Sequence, residues 1–130
     1  MPSITVRDEA RPGRVVSELT LPELPERVSL RELIRTRVRE EVAAANLNQS
    51  EVHHLLVQPT DAEVTLNGYR LTKPRPIDWE RQALVAEEAF TRNGFFVIVD
   101  GRQVESLDEE LELTADSEVR FLKLTPLVGG

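Results

Sequence analysis

A chain of 130 residues, 40% hydrophobic and 30% charged, is sized for one soluble globular domain and too apolar for disorder. Its net charge of −7 disfavours a nucleic-acid partner, and the absence of cysteine removes disulfides, thiolate metal sites and a cysteine nucleophile. No run approaches the ~18 uninterrupted apolar residues of a membrane span. The start, Met1 to Arg7, lacks the blocks of a signal peptide, so a cytoplasmic protein without a membrane partner is expected.

Residues 3–9 alternate, with Ile4 and Val6 on one side and Thr5 and Arg7 on the other; residues 14–21 resume with Val15, Val16, Leu19 and Leu21. Two such runs around Pro12-Gly13 read as a hairpin. Ser29 with Glu32 then forms a capping box, and Val28 is placed to staple onto Leu33. Leu30, Leu33, Ile34, Val38, Val42 and Ala45 recur at helical spacing, which predicts an amphipathic helix over about 30–45.

The middle, 47–93, is harder to read. Ser50 is a candidate cap for a short helix carrying Val52, Leu55 and Leu56. Thr60 with Glu63 makes a second capping box, ended by Asn67-Gly68, with a strand over 63–66 as the competing reading. Lys73-Pro74-Arg75-Pro76 is an extended breaker. Asp78 caps a further helix with Trp79, Ala83, Ala86 and Phe90 on one stripe, closed by Asn93-Gly94. Trp79 and Phe90 serve either as core or as an exposed patch for a partner.

"FFVIV" (95–99) is a continuous apolar run expected to be a central strand covered on both faces. Asp100-Gly101 turns the chain into a short strand. Residues 105–118 carry seven acids and no base, and "EVRFLKL" (118–124) alternates as the last strand. The order of hairpin, helix, helical insert and closing strands is an α+β arrangement.

Candidates for catalysis are thin, and the chain is not expected to be an enzyme. His53 and His54 are adjacent, so on a helix they point apart and do not chelate one metal. The acids Asp108, Glu109, Glu110 and Glu112 read as a solvated run, or as a docking surface for a basic partner. The run "TPLVGG" differs. Pro126 ends the strand, and Leu127 and Val128 are apolar handles. Gly129-Gly130 has no β-carbon to obstruct a narrow channel. Extended, residues 125–130 reach up to roughly 20 Å. Such a tail suits a protein that is itself a substrate, acting through the Gly130 carboxylate; glycines falling there by chance are the alternative.

On these residues the chain resembles the ubiquitin-like β-grasp superfamily. Residues 3–45 are similar to that family's opening hairpin and crossing helix. Residues 95–130 are similar to its closing half, including the ends of the molybdopterin synthase small subunit and the thiamine sulfur carrier. The matching positions are Asp100, Gly101, Asp116, Glu118, Val119 and Gly129-Gly130. The likeness covers about 80 residues, from 3–45 and 95–130. The segment 47–93, with "PTDAEVTLNGYR" and "RPIDWERQ", resembles bacterial ubiquitin-like proteins encoded beside activating, conjugating and deconjugating enzymes.

The resemblance implies a β-grasp domain over 1–125, with a helical insertion at about 47–93, and a flexible tail over 126–130. It implies a protein modifier needing no cofactor of its own: an activating enzyme with Mg·ATP adenylates Gly130, and a conjugating enzyme transfers it to target amines. A deconjugating peptidase reverses the bond. The alternatives are a sulfur carrier bearing a thiocarboxylate and a non-covalent interaction module. Where ubiquitin's tail carries arginines, "TPLVGG" has aliphatics and a proline, which implies a dedicated activating enzyme. Of 16 basic residues only Lys73 and Lys123 are lysines, so single-copy modification is expected over lysine-linked chains. Leu127 and Val128 are expected to supply tail recognition, and the 95–99/118–124 strand face to dock partners.

Overall fold

The computed structural model describes residues 3–47, 55–59, 62–65, 68–71 and 76–123. They form two compact units, one drawn from 1–31 and 90–130 and the other from 32–89.

The first unit is built on the expected hairpin, β1 (Ile4–Arg11) and β2 (Arg14–Leu21), turned at Pro12-Gly13 with Gly13 at φ 84°. After β3 (Arg27–Ser29), the chain enters the first turn of helix α1 (Leu30–Leu47). The unit resumes at the end of helix α2 (Trp79–Thr91) and continues through β6 (Phe96–Val99), β7 (Arg102–Val104), β8 (Glu110–Glu112) and β9 (Val119–Leu122). Two further strands, β4 and β5, belong to the second unit and are given below. The main sheet has five strands in the order β2-β1-β9-β6-β7. The first and last strands lie side by side and parallel, with Val6 opposite Val119 and Asp8 opposite Phe121. All other pairs in it are antiparallel. The architecture is α+β, compatible with a β-grasp arrangement.

Period-two alternation decides which face is buried. Ile4, Val6, Val97, Val99, Val119 and Phe121 are buried together, and the Phe121 ring stacks on Phe95 at a centroid distance of 5.7 Å. The β6 segment was expected to be covered on both faces. It lies inside the sheet, but Phe96 and Ile98 on its other face are only half-buried. Neither β3 nor β8 was expected. They pair as a separate ribbon, Val28 opposite Leu111, and the Leu30 and Arg31 amides donate to the Glu109 and Leu107 carbonyls.

In the second unit, α1 follows the predicted stripe: Leu33, Ile34, Val38, Val42 and Ala45 are all buried. Residues 62–71 correct the helix expected from Thr60 and Glu63. They form a hairpin of β4 (Ala62–Thr65) and β5 (Gly68–Leu71), with Thr65 opposite Gly68. Thr65 pairs with Gly68, so Gly68 opens a strand rather than ending a helix, and short runs rich in Val, Thr and Tyr favour strands. Leu55 and Leu56, assigned above to a short helix, are buried in irregular backbone. Ser50, His53, His54 and 73–75 lie outside the described residues.

Helix α2 begins as expected, with Asp78 Oδ1 accepting from the Glu80 and Arg81 amides at 3.1 and 3.4 Å. It closes at the expected Asn93-Gly94 pair, with Asn93 taking the left-handed conformation at φ 61°.

Candidate functional site

The outer face of the main sheet centres on β9. The registers place Arg7 beside Arg120 and Glu9 beside Leu122 on one side, and Ile98 beside Arg120 and Phe96 beside Leu122 on the other. Phe96, Ile98 and Arg120 are half-buried and therefore reachable. The strand face expected to dock partners is thus apolar at its rim and charged at its middle.

The charge is a closed pair. Arg120 forks onto Glu9, its Nε donating to Oε2 at 2.5 Å and its Nη2 to Oε1 at 2.9 Å. The Gly13 amide donates to the same Oε1 at 2.9 Å. The Glu9 side chain is only 5% exposed. The Arg120 hydrogen bonds, helped by the Gly13 amide and opposed by burial, hold the Glu9 carboxyl down at about 2. Glu9 in turn raises Arg120. Neither group exchanges a proton near neutral pH, so the pair is a clamp rather than an acid–base device. It joins β1, β9 and the β1–β2 turn, and the Glu9 carbonyl also accepts from the Lys123 amide at 2.9 Å. Sequence reasoning missed this pair, because Glu9 and Arg120 meet only once the first and last strands are known to be parallel.

Beside the clamp, β2 carries a bulge. Asp8 opposes Ser17 and Glu9 opposes Val15, leaving Val16 without a partner in the register. Two-against-one pairing turns neighbouring side chains to the same side. Val15 and Val16 are accordingly both 45% exposed.

At the other end of β9 two of the residues that carried the family resemblance, Asp100 and Glu118, meet. Asp100 and Gly101, at φ 50° and 81°, close the β6–β7 hairpin in successive left-handed conformations. The Asp100 amide donates to the Glu118 carbonyl at 2.9 Å, and Asp100 Oδ1 accepts from the Glu118 amide at 2.8 Å. The Asp116 amide donates to Thr114 Oγ1 at 3.2 Å. Asp100 thus locks the turn to the backbone of Glu118 at the start of β9, while the Asp116 amide is held within its own turn.

The acidic run is exposed and largely ion-paired. Asp108 meets Arg31 at 3.1 Å, Glu109 meets Arg102 at 2.8 Å, and Glu112 meets Arg27 at 3.1 Å. Among the described residues, no group of three or more His, Asp or Glu side chains is placed to hold a metal. Nor is any helix there long and apolar enough to cross a membrane. Phe90 is buried against Phe95, while Trp79 is half-buried between Arg35 and Arg39, whose guanidiniums lie 5.4 and 5.9 Å from the ring centroid. Lys123 is half-buried just past β9. Lys73, Pro126, Leu127, Val128, Gly129 and Gly130 lie outside the described residues.

Comparison with protein-family models, curated proteins and solved structures finds no match to this chain.

Proposed function

We propose that this protein is a ubiquitin-like modifier on a β-grasp scaffold, acting through Gly130. The observation that carries the reading is the sheet order β2-β1-β9-β6-β7, whose middle strand leads through Lys123 towards Pro126-Leu127-Val128-Gly129-Gly130. A proline that leaves the ladder, two aliphatics and two glycines suit an arm that enters a partner's nucleotide site. There a Gly130 carboxylate oxygen attacks the ATP α-phosphate and pyrophosphate leaves. An enzyme thiolate then displaces AMP, and a target amine finally displaces the thiol. The clamp between Glu9 and Arg120 holds the base of the arm to β1, and the half-buried Phe96 and Ile98 offer the docking face. With Lys73 and Lys123 the only lysines, addition in single copies is expected.

A sulfur carrier is the second reading, favoured by the likeness of 95–130 to that group; it shares the adenylation step and ends in a thiocarboxylate. The test begins by mapping the C-terminal peptide of the native protein, since both readings require a free carboxylate on Gly130. Incubation with ATP and cell extract, followed by intact mass, then separates them. Covalent attachment to proteins supports the modifier. Exchange of one oxygen for sulfur supports the carrier. No change, or full activity after an alanine is added beyond Gly130, overturns both in favour of a non-covalent module.

A further inference from the structure

The two margins of the main sheet are not alike. At one margin β2 is interrupted by the bulge at Val16, a device that spoils an edge for pairing. At the other, β7 pairs in unbroken register: Val99 with Arg102, Ile98 with Gln103, Val97 with Val104. A two-residue turn makes its flanking pair, Val99 and Arg102, the hydrogen-bonded one. Alternation then makes Ile98 and Gln103 the non-bonded pair, so the Gln103 N–H and C=O point away from β6. Gln103 is exposed and uncharged. It is an open position for strand addition.

A groove of about 570 Å3 runs beside this edge. Phe96 and Leu107, both half-buried, line it over the buried Phe95 and Val104. Its rim carries Glu105 and Asp108. The one cation lining it, Arg31, is held by Asp108 at 3.1 Å. Glu105 opens the 105–118 run of seven acids without a base. With Arg31 balanced by Asp108, Glu105 leaves the lining net negative, so the groove is apolar at the bottom and negative at the rim.

We propose that the β7 edge and this groove bind an extended peptide segment of a partner protein, with an aliphatic core flanked by basic residues. The peptide adds as a strand through the Gln103 amide and carbonyl, places an aliphatic side chain against Phe96 and Leu107, and sets its basic flanks by Glu105 and Asp108. The surface is separate from the outer-face clamp, and its use does not depend on the chemistry of Gly130.

Amide NMR titration of the full chain tests this with a peptide of Val-Ile-Val between lysine pairs and a second with the same core between glutamate pairs. Saturable shifts at Gln103, Val104, Glu105 and Phe96 are expected, with about tenfold tighter binding of the lysine peptide at low salt. Gln103→Pro removes only an outward-facing N–H and is expected to weaken binding about tenfold while leaving the hairpin paired. Glu105→Lys, at an exposed position, is expected to abolish the preference for lysine. Shifts centred on β2 or on the Glu9–Arg120 clamp of β1 and β9, equal binding of the glutamate peptide, or unchanged affinity in either variant would overturn the proposal. So would shifts at Gln103 that grow with protein concentration alone, which would assign the edge to a second copy.

Discussion

The two units satisfy their buried backbone in different ways. In the first, five strands pair in ladders, the buried face is almost wholly apolar, and the forked Glu9–Arg120 pair lies on the outer face. The second contains stretches with no regular structure, and buried side chains do the work that a ladder does elsewhere. Glu41, 7% exposed, pairs with Arg37 at 3.2 Å and accepts the Leu56 amide at 2.9 Å. Asn46 accepts from the Ile77 amide at 2.7 Å and donates to its carbonyl at 3.1 Å. Gln82 donates to the Val57 carbonyl at 3.2 Å. Buried peptide groups must find partners, so an irregular segment brought inside needs polar side chains beside it. Packing holds the sheet; addressed hydrogen bonds hold the insert.

That contrast is most exposed at Glu41. Glu41→Ala leaves Arg37, 1% exposed, without this carboxylate and orphans the Leu56 amide. A loss of about 3–5 kcal/mol in chemical denaturation is expected. Replacing both Arg37 and Glu41 with leucine should cost clearly less than the single change, since a buried pair often breaks even with apolar residues. If the single change costs under about 1 kcal/mol, the insert is held by packing after all. Asn46→Ala is the next largest, at about 2 kcal/mol for two lost hydrogen bonds. Amide exchange should show its effect first at Ile77.

The same difference explains what could be read in advance. The β1–β2 hairpin, α1, α2 and β9 announce themselves by local periodicity, because one regular element buries one face. The Asp100-Gly101 turn is likewise local. The ribbon of β3 and β8 was hidden, since Arg27–Ser29 is too short to show alternation and its partner lies beyond the whole insert. Residues 60–68 fitted both a capped helix and a strand over 63–66, and pairing of β4 with β5 decided for the strand. At the candidate site the apolar members, Phe96 and Ile98, were legible as strand residues. The clamp was not: Glu9 and Arg120 are 111 positions apart, and nothing local marks either.

The clamp sharpens the comparison through pH. Glu9 sits at about 2 in the fold against an ordinary 4.5. A lowered carboxyl adds stability that is complete above its unfolded value and fades as pH falls from 4.5 towards 2. Glu9→Gln should therefore cost about 1–2 kcal/mol at neutral pH, the lower end of charged hydrogen bonding because Arg120 is partly hydrated. The gap between variant and parent should shrink as the pH approaches 2. Denaturant midpoints measured across that range check the sign. A gap that widens in acid would mean the pair is not what holds β1 to β9.

The smallest effect is expected where an insert element makes its own local bonds and lies open to water. Asp78 is exposed, and among the described residues its carboxylate accepts from the Glu80 and Arg81 amides alone, while its carbonyl takes the first helical bond from Gln82 at 3.1 Å. Asp78→Ala removes the cap and returns those two amides to solvent, at about 1 kcal/mol or slightly less. Asp78→Asn keeps an acceptor in place and should recover most of it, so the cap's geometry matters more than its charge. The neighbouring Ile77 stays pinned by Asn46, which confines the damage to the first turn of α2. Amide exchange at Glu80 and Arg81 should quicken while the Leu56 amide, held by Glu41, stays protected. Should Leu56 loosen as well, the hydrogen bonds of the insert form one cooperative network, and the larger losses expected at Glu41 and Asn46 would not add independently.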